Sequence, residues 1–508
     1  MCGIAGIALR DGKQVDLNQI KQMIGCLKHR GPDEFGAYHG EQIGLGHARL
    51  SIIDLNTGTQ PIHNEDQSLW VVFNGEIYNF IELRSLLEAK GHTFYTKTDT
   101  EVIIHAYEEY GPDCLKQFNG QFAFAIWDTN KRQLFIARDR LGIRPLFYHM
   151  QGGTLAFASE IKSLFTLPHI VRGIDPIALD QIFTMWATLP PRTAFKDIWQ
   201  LPPGCFGIYS QERGTLKVNS YWELPFNDGS GGSRSEADYC EELAHLLTES
   251  TRIRLRADVP VGAYLSGGLD STVITSLINK INPARLSTYS IQFSDQNYDE
   301  SSFQKKVIDH LKVDHHEIHC THSDIAAAFP QLIWHSETPL LRTAPTPLML
   351  LSRLVRDNDM KVVLTGEGAD EMLAGYNIFR ETSVRRFWSK NPESSFRPLL
   401  IQKLYPYLQR SDAKTRGYLS HFFKQGLTDT HLSYYSHLIR WKNTSRIKNY
   451  FGDGLREQIG NYDPISEFEK TLGRQVDQWP LLHKAQFIEI KIFLSNYLLS
   501  SQGDRVSM

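Results

Sequence analysis

The sequence carries no strong charge of either sign. Its 54 Lys and Arg stand against 57 Asp and Glu, a formal net of −3 at pH 7. That excludes the whole chain as an electrostatic nucleic-acid binder, which needs a cationic excess to displace counterions. Cysteine is sparse. Cys2, Cys26, Cys114, Cys205, Cys240 and Cys320 are six among 508 residues, and no two form a Cys-x-x-Cys pair. This excludes a disulfide framework and argues against a structural zinc site, leaving reduced cytoplasmic thiols as the expectation. No apolar run approaches the roughly 18 residues of a bilayer span. The start, Met1-Cys2-Gly3-Ile4-Ala5-Gly6-Ile7, meets Arg10 too early for a signal-peptide core and lacks a basic beginning. Gly is third rather than second, which removes N-myristoylation. No internal repeat and no Walker loop occur. A soluble cytoplasmic protein without membrane or nucleic-acid partners is expected.

What is present is a globular composition, 41 % hydrophobic and 22 % charged. At about 150 residues per domain the length allows about three units. Residues 69–73, 122–127, 134–137 and 155–158 are short apolar runs set off by Gly, Asn and Asp, and read as strands. Helical patterns at 77–90 and 100–110 interrupt them, so residues 1–210 read as mixed α/β with antiparallel character. The stretch Asn227-Asp228-Gly229-Ser230-Gly231-Gly232-Ser233 marks a linker, placed at 211–236. After an amphipathic helix from 237 to about 254, strand candidates at 259–265, 286–293 and 361–364 alternate with helices. That order implies a parallel sheet covered on both faces. Beyond about residue 380 the chain reads as helical. Residues 380–450 hold 14 Lys and Arg against 4 Asp and Glu. Such a run reads as solvated helix faces or a subunit contact, as in a homodimer, rather than an RNA surface.

Cys2 follows the initiator Met, which is normally removed before small residues. The mature chain then begins with a thiol beside its own free α-amine. That amine, with an ordinary pKa of about 7.7–8.0, can take the thiol proton without a separate histidine. Alone, an early cysteine carries little weight, but other motifs accompany it. His29-Arg30-Gly31-Pro32-Asp33 is a turn of special residues. Arg49-Leu50-Ser51-Ile52 sets a guanidinium beside a strand, suited to bidentate capture of a carboxylate. Asn74-Gly75-Glu76-Ile77-Tyr78-Asn79 follows a strand, so an Asn amide and a Gly N–H can point at one oxyanion. Asp99, within Thr98-Asp99-Thr100-Glu101, can bind an ammonium group. Each motif alone can equally be a turn or a helix cap.

Together these motifs resemble the class II glutamine amidotransferase domain, as do Arg138-Asp139-Arg140-Leu141-Gly142-Ile143-Arg144-Pro145-Leu146-Phe147-Tyr148 and Phe157-Ala158-Ser159-Glu160-Ile161-Lys162. The resemblance runs from Cys2 to about Tyr209. It implies an N-terminal-nucleophile fold of stacked β-sheets between helices, αββα. It also implies that Cys2 attacks the glutamine amide and that Asn74 and Gly75 stabilise the oxyanion. Arg49 would hold the α-carboxylate with Leu50, Ser51, Ile52 and Ile53 lining the site, and Glu76 and Asp99 would hold the α-amine.

In the second half, Ser266-Gly267-Gly268-Leu269-Asp270-Ser271 follows an apolar strand and opens a helix. Glycines let backbone N–H groups approach a phosphate, and the helix start adds donors. The motif resembles the pyrophosphate loop of ATP pyrophosphatases, an α/β adenine-nucleotide hydrolase-like fold. A second cluster, Leu364-Thr365-Gly366-Glu367-Gly368-Ala369-Asp370-Glu371, packs carboxylates that repel unless a cation or substrate offsets them. Asp270 and Asp370 are the candidate Mg²⁺ ligands. By resemblance, Leu265, Ile291, Thr365 and Gly366 contact ATP, and Glu367 serves acyl-adenylate formation.

The two halves together resemble the glutamine-hydrolysing asparagine synthetase family over essentially the whole chain, with residues 237–508 as the synthetase domain. The resemblance implies that glutamine, ATP and aspartate yield asparagine, glutamate, AMP and pyrophosphate, with ammonia crossing an apolar tunnel. In relatives the motif around Asp504-Arg505-Val506-Ser507-Met508 continues further, so a truncated synthetase domain is expected. The segment Glu337-Thr338-Pro339-Leu340-Leu341-Arg342-Thr343-Ala344-Pro345-Thr346-Pro347 has no Asp and leaves the acceptor pocket unassigned. Another carboxylate acceptor (a sugar acid or a peptide) and a catalytically silent scaffold stay open as alternatives.

Overall fold

Strands of the first half carry apolar residues on both faces, so each sheet needs cover on two sides. The computed structural model describes residues 1–10, 12–226, 234–282, 286–295, 299–405 and 421–506. In it these strands form two six-stranded antiparallel sheets. The first runs β10 (Trp199–Gln200), β8 (Phe147–Gln151), β9 (Thr154–Ala158), β1 (Gly3–Ala8), β3 (Ile43–Arg49), β2 (Glu34–His39). The second runs β12 (Thr215–Ser220), β11 (Cys205–Ser210), β7 (Gln133–Arg138), β6 (Gly120–Asp128), β5 (Leu69–Ile77), β4 (Ile62–His63). The sheets stack on Ile4, Ala8, Leu45, Val72, Ala125, Ile136 and Phe157. Because side chains alternate along a strand, Ala5 and Ile7 of β1 face the other way. There they meet Ile20, Met23 and Ile24 of the helix Leu17–Gly25. On the far side, Phe73, Phe122 and Phe124 meet Leu83, Leu87, Val102 and Ile103 of the helices Phe80–Ala89 and Asp99–Tyr110. Helix, sheet, sheet, helix is the expected N-terminal-nucleophile architecture.

The first half runs past residue 210. β12 pairs with β11 from Ser210↔Thr215 to Cys205↔Ser220, inside the stretch read as linker. Its side chains are mostly exposed, so this edge strand lacks the apolar alternation that flags a strand. The Gly-rich run 227–233 lies outside the described residues. The helix Glu236–Arg254 then starts on a capping box between Ser235 and Asp238.

The second half holds a parallel sheet ordered β15 (Asp314–Cys320), β14 (Ser287–Phe293), β13 (Val261–Tyr264), β16 (Val362–Leu364). Helices cover both faces. Ile278 packs with Ala263 and Leu286 on one, and Leu351 and Val355 pack with Tyr289 on the other. β14 and β15 lie to one side of β13 and β16 to the other, so the strand order reverses beside β13. Such a reversal opens a crevice at the carboxyl ends of the strands. Among the described residues no helix is long and apolar enough to cross a membrane.

Buried charges join the halves. The fully buried Arg30 donates to Asp504 at 2.7 and 2.8 Å, to Glu160 at 3.0 Å and to the Cys2 carbonyl at 2.9 Å. Glu337 accepts from the backbone N–H of Ile161 and Lys162 at 2.8 and 2.7 Å and pairs with Arg505 at 2.8 Å. A cavity lies between the halves, and its wall includes Arg138, Glu337, Asp504 and Arg505. The same wall carries Ile143, Pro145, Phe147, Ile161 and Trp186, so charged and apolar residues share the space between the halves. Its charges stay there because each is paired or hydrogen-bonded.

Candidate active sites

Cys2 immediately precedes β1, whose neighbour β3 ends at Arg49. The Cys2 Sγ accepts from the Leu50 N–H at 3.4 Å and faces the Leu50 carbonyl at 3.7 Å. A cavity opens here, walled by Cys2, Arg49, Leu50, Ile52, Ile53, Asn74, Gly75, Glu76 and Asp99. Ser51 is not in the wall. Its N–H donates to Asp33 at 2.8 Å, and Lys361 binds both that carboxylate, at 2.7 Å, and the Ser51 carbonyl, at 3.3 Å. Ser51 therefore belongs to the contact between the halves, while the residues on either side of it face the cavity.

Asn74 and Gly75 sit side by side in β5, opposite Ala123 and Phe122 of β6. Both amide atoms of Asn74 are buried without a hydrogen-bond partner among the described residues. A Cβ on Gly75 would lie 2.0 Å from the Gln121 carbonyl oxygen, so only glycine lets β5 and β6 stay paired there. Arg49 is anchored by Glu34 at 2.9 Å and by the Ile53 carbonyl at 3.2 Å. Asp99 stands first in its helix, behind the cap Thr98, and accepts from the Ile77 N–H at 2.8 Å.

Burial governs the charges in this cavity. It pushes the Glu76 carboxyl up to about 7, with Asp99 adding to the effect, and Asp99 up to about 6. Two buried acids so raised are a receptor for a cation such as an ammonium. With Met1 in place, burial lowers that residue's α-amine to about 5, and Arg30 and Arg144 push the same way. Burial also raises the Cys2 thiol.

The second constellation gathers at the β13 crevice. Gly267 has φ +84°, and a Cβ on it would meet the Gln304 nitrogen at 2.8 Å. Ser266 Oγ takes the Gly268 N–H at 3.2 Å and lies 2.9 Å from Ser271 Oγ. The buried Leu265 leads into the loop, and Leu269 opens the helix Leu269–Ile281 with Asp270 in its first turn. Thr365 and Gly366 follow β16. A Cβ on Gly366 would lie 2.9 Å from Asp270 Cβ, so the two loops abut. Burial and then the Asp270 charge raise the Asp370 carboxyl. Two acids that oppose each other's charge suit a hard divalent cation such as Mg²⁺. Burial raises Glu367 while Arg342 opposes it. Ile291 lies in β14, against the apolar cluster of Tyr289 and Leu351.

A glutamine amidotransferase domain model matches residues 1–222, and an asparagine synthase model matches residues 242–508. Across its whole length the chain is 36 % identical to asparagine synthetase (glutamine-hydrolyzing) 1 of Bacillus subtilis, spanning 78 % of that protein. The chain belongs to the asparagine synthetase family. A putative asparagine synthetase (glutamine-hydrolyzing) 2 of Methanocaldococcus jannaschii is 35 % identical over 76 % of this chain and 78 % of its own. A Penicillium rubens protein named amidase chyE is 31 % identical over the whole chain and 79 % of its own. Membership makes this an enzyme of glutamine-dependent amide synthesis with ATP as a substrate.

Some residues at the two family sites escaped sequence reasoning. Arg144, Gln60, Thr98 and Thr100 line the Cys2 cavity. Arg144 was visible in the Arg138–Tyr148 motif, but its direction is set by Asp139. That carboxylate gathers the N–H groups of Leu141, Ile143 and Arg144 at 3.0–3.1 Å. In the second half, burial pushes Glu371 up to about 7. The sequence showed it only as one acid among several.

Proposed function

We propose that this asparagine synthetase-family enzyme makes asparagine from aspartate, with a glutaminase domain ending near residue 220 and a synthetase domain from 237 onward. The observation that carries the reading is the similarity to the Bacillus subtilis enzyme along the whole chain. In the first site the freed α-amine takes the Cys2 proton, and the sulfur attacks the glutamine side-chain carbonyl. Asn74 Nδ2 and the Gly75 N–H receive the oxyanion, where one such donor is worth about 2.7–4 kcal/mol. Arg49 holds the α-carboxylate, and Glu76 with Asp99 holds the α-ammonium. The amide nitrogen leaves as ammonia, and water releases glutamate from the thioester.

In the second site the 266–271 loop and the helix start receive the pyrophosphate of ATP. Asp270 and Asp370 would hold Mg²⁺, which when bound offsets phosphate charge. The aspartate side-chain carboxylate attacks the α-phosphate, pyrophosphate leaves, and Glu367 positions the acyl-adenylate. Ammonia then attacks the carbonyl and AMP leaves. The test is an acceptor panel with purified protein, Mg-ATP and glutamine, read by pyrophosphate release and product mass. Aspartate alone should support both. Turnover with a sugar acid or peptide instead would favour the second reading, which the Penicillium amidase match motivates.

A further inference from the structure

Four side chains that the amide chemistry does not use converge on the first half. Glu65 lies between β4 and β5, His92 follows the helix Phe80–Ala89, and His105 with Glu108 comes from the helix Asp99–Tyr110. One ligand atom from each, an imidazole nitrogen or a carboxylate oxygen, lies within 4.8 Å of the other three. His105 Nδ1 stands 3.0 Å from Glu108 Oε2 and 3.6 Å from Glu65 Oε2, and His92 Nδ1 stands 3.7 Å from Glu108 Oε2. Zinc bonds of about 2.0–2.1 Å in a tetrahedron place donors about 3.4 Å apart. Small side-chain rotations reach that arrangement.

The outer oxygen of each carboxylate is held from behind. Glu65 Oε1 accepts the Thr93 N–H at 2.8 Å, and Glu108 Oε1 accepts Asn64 Nδ2 at 2.9 Å. His105 Nε2 faces Glu101 Oε1 at 3.5 Å, and His92 Nε2 faces Glu109 Oε2 at 3.6 Å. As the cluster stands, His105 Nδ1 donates to Glu108 Oε2 at 3.0 Å, so an ion bound there displaces that proton. Outer donors such as the Thr93 N–H and Asn64 Nδ2 orient the two carboxylates as metal ligands require.

We propose that Glu65, His92, His105 and Glu108 bind one divalent transition-metal ion of the Zn²⁺ type, clipping the β4–β5 connection to the helix Asp99–Tyr110. Two imidazoles with two carboxylates suit Zn²⁺ better than Mg²⁺, which takes oxygen ligands. The cysteine spacing that argued against structural zinc has no bearing on a site built from histidine and glutamate. The clipped helix is the one that carries Asp99 into the Cys2 cavity, so the ion would brace that wall from outside.

The test uses the full chain, its accessible thiols alkylated and its metals stripped. Zn²⁺ is titrated against a chromophoric competitor, Co²⁺ is followed by visible absorption, and melting is recorded with and without each ion. His92→Gln and Glu65→Gln serve as variants, because neither side chain is in the core. The wild type should bind one equivalent that both variants lose. The drop should exceed the roughly 10–100-fold that loss of an outer partner costs. Zn²⁺ should raise Tm in the wild type only, and Co²⁺ should give tetrahedral bands without thiolate charge transfer. Equal Zn²⁺ affinity and stoichiometry in wild type and both variants would overturn the proposal, as would a thiolate spectrum.

Discussion

Replacing Asn74 by Ala should separate stability from catalysis. The Asn74 side chain is 1 % exposed, and neither its Nδ2 nor its Oδ1 has a partner among the described residues. A buried unsatisfied polar atom costs about 1–3 kcal/mol. Truncation removes two such atoms and in return loses a small amount of packing beside an existing cavity. The fold should therefore be unchanged or gain up to about 2 kcal/mol. Catalysis should move the other way. An oxyanion donor contributes about 2.7–4 kcal/mol to the transition state, so glutaminase kcat should drop about 10²–10³-fold. Urea unfolding gives the first quantity and glutamate release the second. Ammonia-dependent synthesis, run on the same samples, should keep its rate because the β13 crevice is untouched. Loss of more than about 2 kcal/mol of stability would show that Asn74 is a structural amide. An unchanged kcat would refute its role as a donor.

Cys2→Ala should abolish glutamine hydrolysis and spare ammonia-dependent synthesis, while glutamine-dependent turnover at the wild-type rate would exclude the thiol. With Glu76 near 7 and Asp99 near 6, both take up protons as pH falls from 8 to 6 and lose their pull on an ammonium. KM for glutamine should rise over that window, and Glu76→Gln should flatten the upper part of the rise; a flat wild-type profile would contradict the assignment. Gly366→Ala puts a methyl 2.9 Å from Asp270 Cβ and 3.0 Å from the Ser271 nitrogen, so ATP–pyrophosphate exchange should fall at least tenfold with glutaminase intact. Asp504→Asn leaves the buried Arg30 with Glu160 and the Cys2 carbonyl, and breaking such a buried pair should cost about 3–5 kcal/mol in urea unfolding. Burial opposes the Asp504 charge, but Arg30 outweighs it and holds the carboxyl below its ordinary range. That contribution is complete above about pH 4 and disappears as acid protonates Asp504, so the wild type and Asp504→Asn should converge in stability at low pH.

Much of this enzyme is written locally. The apolar runs at 69–73 and 122–127 read as strands and are strands, and Ser266–Ser271 does lie between a strand and a helix, where a phosphate loop is proposed. Asn74-Gly75 and Cys2, singled out by residue type, do share one cavity. Other features depend on partners far away in sequence. β12 is polar and exposed, and it is a strand only because β11 offers an edge. Ser51 sits in the middle of a motif and yet turns from the cavity, because Asp33 and Lys361 take its backbone. Arg144 and Glu371 acquired their settings from Asp139 and from burial. His92 and His105, 13 positions apart, carry no local signature and meet Glu65 only once the helices pack on β5. Local pattern records which face of an element is apolar and where a turn must fall. Burial depth, charge pairing and the meeting of distant side chains arise when those faces close on one another, which is why they were decided by the tertiary structure alone.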